Sequence, residues 1–104
     1  MAGNVGDAGR KAAAGLVVQV VWTRSAASEL WSIRTYIAQF SPLAAQRLSQ
    51  RITVAARSLE TTPDRGRPIS YGRRELVVIR PYLIRYIHHD QRVEILEVRH
   101  GARE

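Results

Sequence analysis

The chemistry open to this chain is narrow. It has three histidines, no cysteine, and sixteen basic side chains that are all arginine except Lys11. Without cysteine there is no thiolate nucleophile, no thiolate-rich metal site and no disulfide. Schiff-base or general-base chemistry by lysine has only Lys11 available. His88-His89 invites a metal reading, but neighbouring residues of a strand point to opposite faces, so the pair cannot chelate one ion. No metal and no cofactor are expected. His100 is the better acid–base candidate. Arginine's planar fork suits carboxylates and phosphates. Arg47, Arg51 and Arg57 recur on one helical face. Arg73, Arg74 and Arg80 flank one apolar stretch, with Glu75 among them as an ion-pair partner. Arg65-Gly66-Arg67 is only weakly like a phosphate-binding loop, because it lacks the P-loop spacing. The net charge of +7 calls for an anionic partner: nucleic acid, an acidic protein or a membrane surface.

These side chains must be positioned by one small domain. At 104 residues and 45 % hydrophobic content the chain supports a single modest core. Residues 1–15 are Gly/Ala-rich and read as a tail, and residues 16–104 read as the domain. The first fifteen residues lack the apolar stretch of a secretory signal. No apolar run approaches the roughly 20 residues that span a bilayer. The absence of cysteine fits a cytoplasmic setting, and no membrane association is expected.

Leu16–Trp22 is β-branched and apolar, the pattern of a buried strand. Thr23-Arg24-Ser25 supplies caps for a helix whose apolar stripe runs Ala26, Leu30, Ile33, Ile37 and Phe40. Trp31, Arg34 and Tyr36 lie off that stripe. Ser41-Pro42 restarts a second helix, with serine as cap and proline at the first position. Its stripe is Ala45, Leu48, Ile52, Ala55 or Ala56, and Leu59. Its other face carries Gln46, Arg47, Gln50, Arg51 and Arg57. Residues 61–68 read as a loop. Three strands follow, Glu75–Ile79, Leu83–His88 and Arg92–Val98, joined by short connections as an antiparallel meander. The order is β-α-α-β-β-β. The fold expected is α+β, a helical hairpin packed on one face of a mostly antiparallel four-stranded sheet. Counting directions through the hairpin makes the first strand antiparallel to the second. The open sheet face and the groove between sheet and hairpin are left for function.

Read in order, these residues resemble a known family. The set is Val21-Trp22-Thr23-x-x-Ala26, Tyr36-Ile37, Ser41-Pro42-x-Ala44-Ala45-x-Arg47-Leu48, Pro63-x-x-Gly66-Arg67-Pro68, Arg74-Glu75-Leu76-Val77, Tyr82-Leu83-Ile84-Arg85-Tyr86 and Val93-x-Ile95-Leu96-x-Val98-x-His100-Gly101-Ala102-Arg103. Across Val18–Arg103 it resembles the ParE/RelE toxins of type II toxin–antitoxin systems, closer to the ParE branch. The resemblance implies a cognate antitoxin, ParD-like, whose acidic C-terminal segment folds onto the toxin. It also implies one of two targets. ParE-like members poison DNA gyrase and have no known hydrolytic site. RelE-like members cut messenger RNA on the ribosome.

RNA cleavage needs a base for the 2′-OH, cations around the phosphate and an acid for the leaving oxygen. RelE-like nucleases carry an arginine directly after the aromatic that opens the penultimate strand. Leu83 stands there in this chain. Arg85, two positions on, shares its strand face but is displaced by about 6–7 Å. The preceding strand has no lysine, and the His100-Gly101-Ala102-Arg103 ending is ParE-like. The resemblance therefore favours a gyrase inhibitor without a catalytic site. A nuclease would use Arg85, His100 and Arg103. Target contacts are expected from Arg74, Arg80, Tyr82, Arg85, His100 and Arg103. Antitoxin contacts are expected from Trp31 and Tyr36 as apolar anchors, with Arg34, Arg47 and Arg51 meeting its carboxylates. A simple basic nucleic-acid module is disfavoured, since no helix-turn-helix or stacking aromatic pair is present.

Removing residues 1–15 is expected to leave the fold intact, because Val5 is the segment's only branched apolar side chain. A thermal melt checks this: an unchanged midpoint is expected, and a drop of several degrees would show that the segment packs on the domain.

Overall fold

The computed structural model describes residues 17–101. The tail assigned to residues 1–15, together with Leu16 and Arg103, lies outside the described residues. The elements are β1 (Gln19–Trp22), α1 (Arg24–Ala38), α2 (Pro42–Ser58), β2 (Arg67–Pro68), a 3₁₀ turn at Ser70–Gly72, β3 (Arg74–Ile79), β4 (Tyr82–His89) and β5 (Arg92–His100). The strands form one sheet in the order β1-β5-β4-β3-β2. β1 runs parallel to β5, and the other three pairings are antiparallel. The hairpin α1–α2 covers one face of this sheet. The core between them holds Ala26 from α1, Ile52 and Ala56 from α2, Leu59 just after it, and Leu76, Ile84, Tyr86, Val93, Ile95 and Val98 from the sheet.

Local chemistry sets the helix boundaries. Thr23 caps α1 by accepting a bond from the Ala26 N–H at 3.1 Å, and its hydroxyl donates to the Ile95 carbonyl at 2.8 Å. One side chain thus starts the helix and ties the β1–α1 junction to β5. Ser41 caps α2 through the Ala44 N–H at 3.1 Å, with Pro42 in the first turn. Past Trp22 the side of β5 away from β4 has no strand beside it among the described residues, and there the Glu29 carboxylate of α1 accepts the Val98 N–H at 2.9 Å.

Several details differ from the sequence expectation. The first strand begins at Gln19, because the Val18 N–H bonds the Glu60 carbonyl at 2.9 Å, at the end of α2, rather than the sheet. Phe40 does not complete the core stripe. Helix α1 ends at Ala38, the chain turns toward α2, and the Phe40 ring is 73 % exposed, packed edge-on against Tyr36. Arg67-Pro68 is not loop but a two-residue edge strand opposite Glu75 and Arg74. This extra strand reverses the chain once more before β3. β3 therefore runs parallel to β1, not antiparallel to it.

The reversal is held by a buried phenol. The Tyr86 hydroxyl accepts the Gly66 N–H at 2.9 Å and donates to the Pro63 carbonyl at 2.7 Å. Burial pushes its pKa above the ordinary tyrosine value, which keeps it a neutral donor. Gly66 is required by close approach: an added Cβ would lie 2.9 Å from the Glu75 carbonyl oxygen and 2.9 Å from the Tyr86 ring. Tyr86→Phe should cost about 1–3 kcal/mol, because the buried Gly66 N–H would lose its acceptor. Gly66→Ala should cost at least as much through the clash. Chemical denaturation measures both, and a Tyr86→Phe midpoint equal to that of wild type would refute the anchoring role.

Candidate functional site

The open face of the sheet carries a charge ladder across four strands. Arg67, Glu75, Arg85 and Glu97 are successive cross-strand partners on β2, β3, β4 and β5. Arg67 meets one Glu75 oxygen at 2.6 Å, and Arg85 meets the other at 3.0 Å. Arg85 also reaches Glu97 at 3.3 Å, and Glu97 lies 3.9 Å from Arg73 and 3.7 Å from Arg99. A register shift opposite Arg85–Tyr86 makes this alignment possible. Val93 and Ile95 face the core, and after the bulge Val98 does so, which leaves Glu97 on the open face. Glu75 is only 8 % exposed. Burial alone would raise its pKa, but hydrogen bonds from Arg85 and Arg67 outweigh it and hold the carboxyl below its ordinary value.

His100 lies on the other face. It pairs across strands with Tyr82, their rings edge-to-face at 5.1 Å. With Ser32, Ile33 and Tyr36 of α1 they line a cleft of about 230 Å³. Arg85 lies three residues along β4 from Tyr82, on the side away from this cleft. Of the residues expected in a nuclease, Arg85 and His100 are therefore on opposite faces of the sheet, and Arg103 is outside the described residues. Arg74 clamps the Pro63–Gly66 loop. It donates to the Gly66 carbonyl at 2.7 Å and to the Asp64 carbonyl at 3.1 Å, and lies 3.4 Å from the Asp64 carboxylate. Arg80 is exposed in the turn between β3 and β4. His88 and His89 meet Asp64 at 2.8 Å and Glu94 at 3.4 Å, two separate partners.

The expected antitoxin contacts fall into two groups. Arg47 and Arg51 line a groove between α2 and β3. One stretch of about 570 Å³ continues through Val54, Ser58, Arg65 and Val78. The adjoining stretch of about 330 Å³ is lined by Leu43, Leu48 and Ile79. Trp31 and Tyr36 instead line a depression with Ser32, Thr35 and Gln39, which shares no residue with that groove. Trp31 is 65 % exposed and so stands outside the core; Arg34 is exposed on the same helix. Sequence reading did not group Leu43, Val54, Arg65, Val78 or Ile79 with Arg47 and Arg51. The signal was present on α2, where Leu43 and Val54 are apolar residues off the core stripe.

Residues 20–104 match the family described as the ParE toxin of the type II toxin–antitoxin system parDE. The chain belongs to the ParE toxin family. Toxin RelE2 of Caulobacter vibrioides is 53 % identical over 87 residues, which cover 84 % of this chain and 99 % of that protein. A solved structure of the chromosomal ParDE system from P. aeruginosa superposes with a TM-score of 0.71 at 26 % identity, covering 81 % of this chain and 96 % of that one. As a type II toxin of this family, the chain has a cognate antitoxin as its partner. Among the described residues, no helix is long and apolar enough to cross a membrane.

The ladder is expected to contribute stability to this ParE-family toxin that is lost in acid. Because the folded Glu75 pKa is depressed, the stability it contributes is present above the unfolded carboxyl value and is lost as pH falls through the folded one. Glu75→Gln should cost about 2 kcal/mol at neutral pH, and the gap to wild type should close as the pH is lowered below the ordinary carboxylate range. Denaturation at several pH values reads this directly, and a gap independent of pH would assign the loss to packing instead.

Proposed function

We propose that this ParE-family toxin acts in the cytoplasm, is silenced by an acidic antitoxin segment lying in the α2–β3 groove, and inhibits DNA gyrase once released. The observation that carries the target is the state of Arg85. It is the arginine nearest the phosphate-clamping position of RelE-like nucleases, yet its guanidinium is shared between Glu75 and Glu97. Recruiting it to an RNA phosphate would take from the nearly buried Glu75 carboxylate one of its two arginines, leaving Arg67 alone on it. It also faces away from His100, so these two do not flank one phosphate. Inhibition by binding fits this geometry better than cleavage, and needs no cofactor. Expressed without antitoxin, the toxin should arrest growth and leave cleaved gyrase–DNA complexes. Messages cut at specific codons on ribosomes, with gyrase unaffected, would replace this reading with the nuclease one.

The antitoxin reading rests on the groove. β2 pairs only with Arg74 and Glu75, so the rest of the β3 edge has no neighbouring strand, and Val77 and Ile79 are exposed there. An incoming segment can set apolar side chains against Leu43, Val54 and Ile79 and carboxylates against Arg47, Arg51 and Arg65. A ParD-like acidic C-terminal segment has that chemistry. Where the same segment passes the hairpin tip at Phe40 it reaches Tyr36, Arg34 and Trp31, which makes these a second, weaker contact.

Val54→Asp should weaken antitoxin binding at least tenfold. Arg47→Glu should chiefly slow association and reduce its salt dependence. Trp31→Ala should cost less than either, about 1 kcal/mol or below. Binding titrations and association rates, on mutants shown to be folded by circular dichroism, rank them. A dominant loss at Trp31 would move the main contact to α1.

A further inference from the structure

Tyr71 carries a conflict between backbone and side chain. Among the described residues it is the most exposed of the large apolar and aromatic side chains, at 90 %. Its backbone sits at φ 63°, ψ 35°, in the left-handed region. Glycine enters that region freely, asparagine and aspartate often, and a bulky aromatic rarely. The other non-glycine residue with positive φ among the described residues is Asp90, at 54°, a type that tolerates it. The fold thus asks for a small residue at position 71 and carries a large one. Within the molecule the ring gains little. Arg73 lies 5.8 Å from its centroid, a weak contact at an exposed site.

The turn that carries the ring is nonetheless closed by hydrogen bonds. The Ile69 N–H bonds the Arg73 carbonyl at 2.9 Å, and Arg73 Nε donates to the Ser70 carbonyl at 3.0 Å, closing the turn on both sides of Tyr71. Arg73 also connects the ring to the open sheet face through Glu97, at 3.9 Å. On that face Arg67, Arg73, Arg85 and Arg99 outnumber Glu75 and Glu97, and the Arg67 side chain is 69 % exposed. A protruding tyrosine and arginine on a hydrogen-bonded turn, backed by net positive charge, have the make-up of a protein hot spot whose backbone ordering cost is already met.

We propose that Tyr71, with Arg73 and Arg67, is the element that enters an acidic recess on the toxin's protein target, and that it works independently of the antitoxin groove. This rests on the reading that the toxin acts by binding a protein. A nucleic-acid strand fits less well. Strand-binding surfaces stack successive bases on several aromatics, whereas here one ring stands alone and the adjacent arginines are interleaved with carboxylates.

The test compares wild type with Tyr71→Gly and Tyr71→Phe. Tyr71→Gly relieves the backbone conflict, so its melting temperature should equal or exceed that of wild type. Its antitoxin affinity should stay within about twofold. Its inhibition of gyrase supercoiling, and its growth arrest, should fall at least tenfold. Tyr71→Phe keeps the ring and should retain most of both. Full inhibition by Tyr71→Gly overturns the proposal, as does a parallel loss of antitoxin binding. An equal loss of binding to a DNA duplex without gyrase would assign the contact to nucleic acid and overturn the protein recess. If wild type arrests growth without touching gyrase, and Tyr71→Gly does not arrest growth, the gyrase reading fails and the Tyr71 contact stands.

Discussion

The hydroxyl of Tyr86 decides more of this structure than any other single group. Buried in the core, it must satisfy a donor and an acceptor, and it does so with the Pro63 carbonyl and the Gly66 N–H. That fixes where the chain turns after α2. The turn brings Arg67-Pro68 alongside β3, the added strand sets the direction of β3, and the meander follows. It also places Arg67 opposite Glu75, the first rung of the ladder. An unpaired Tyr86 hydroxyl would cost more in the core than its bonds gain on the surface, so loop, edge strand and ladder are specified together. This is the physical content of the Pro63-x-x-Gly66-Arg67-Pro68 spacing.

Helices and caps were legible in the sequence because they are local. Thr23, Ser41 and Pro42 act within a turn of their own position, and the stripes through Ile33 and Ile52 follow from the helical period alone. The meander was legible from its short connections. Three features were not. Arg67-Pro68 is too short to show strand periodicity, and without it the direction count is off by one reversal. The β5 bulge is written only as a gap of three between Ile95 and Val98, which reads equally well as a strand running out of core. Phe40 keeps the helical spacing but lies past the point where the chain leaves the helix. The first two depend on partners distant in sequence, and the third on where the helix stops.

The site shows the same division. That Arg85 shares a face with Leu83 follows from the period of two along a strand. That two carboxylates occupy Arg85 depends on the β3–β4 register and on the bulge, neither visible in the strand's own residues. Arg47 and Arg51 were recognisable as a basic face. Their partners across the groove, Val78 and Ile79, were not, because only the position of the β3 edge beside α2 brings them near. Trp31 and Tyr36 were correctly read as standing off the core stripe. Their separation from Arg47 and Arg51 is a matter of which side of the hairpin each helix presents.

Arginine does opposite work on the two faces of the molecule. On the open sheet face it is tied down: Arg85 by Glu75 and Glu97, and Arg73 by Ser70 and Glu97. The Arg85 guanidinium shapes the fold, and a partner that took it would have to replace carboxylates already in place, whereas Arg67, 69 % exposed, keeps donors that Glu75 does not use. Beside α2 the arginines line an open groove with apolar side chains between them, where a carboxylate arriving from outside adds a charge pair without displacing one. An acidic segment therefore gains more in the groove than on the ladder, although the ladder carries as many arginines. Charge count alone would send an anionic partner to either face. On the proposed reading, the prior pairing of the arginines separates a structural face from a binding one, and it leaves to the target those groups on the sheet side that protrude beyond the ladder, Tyr71 foremost.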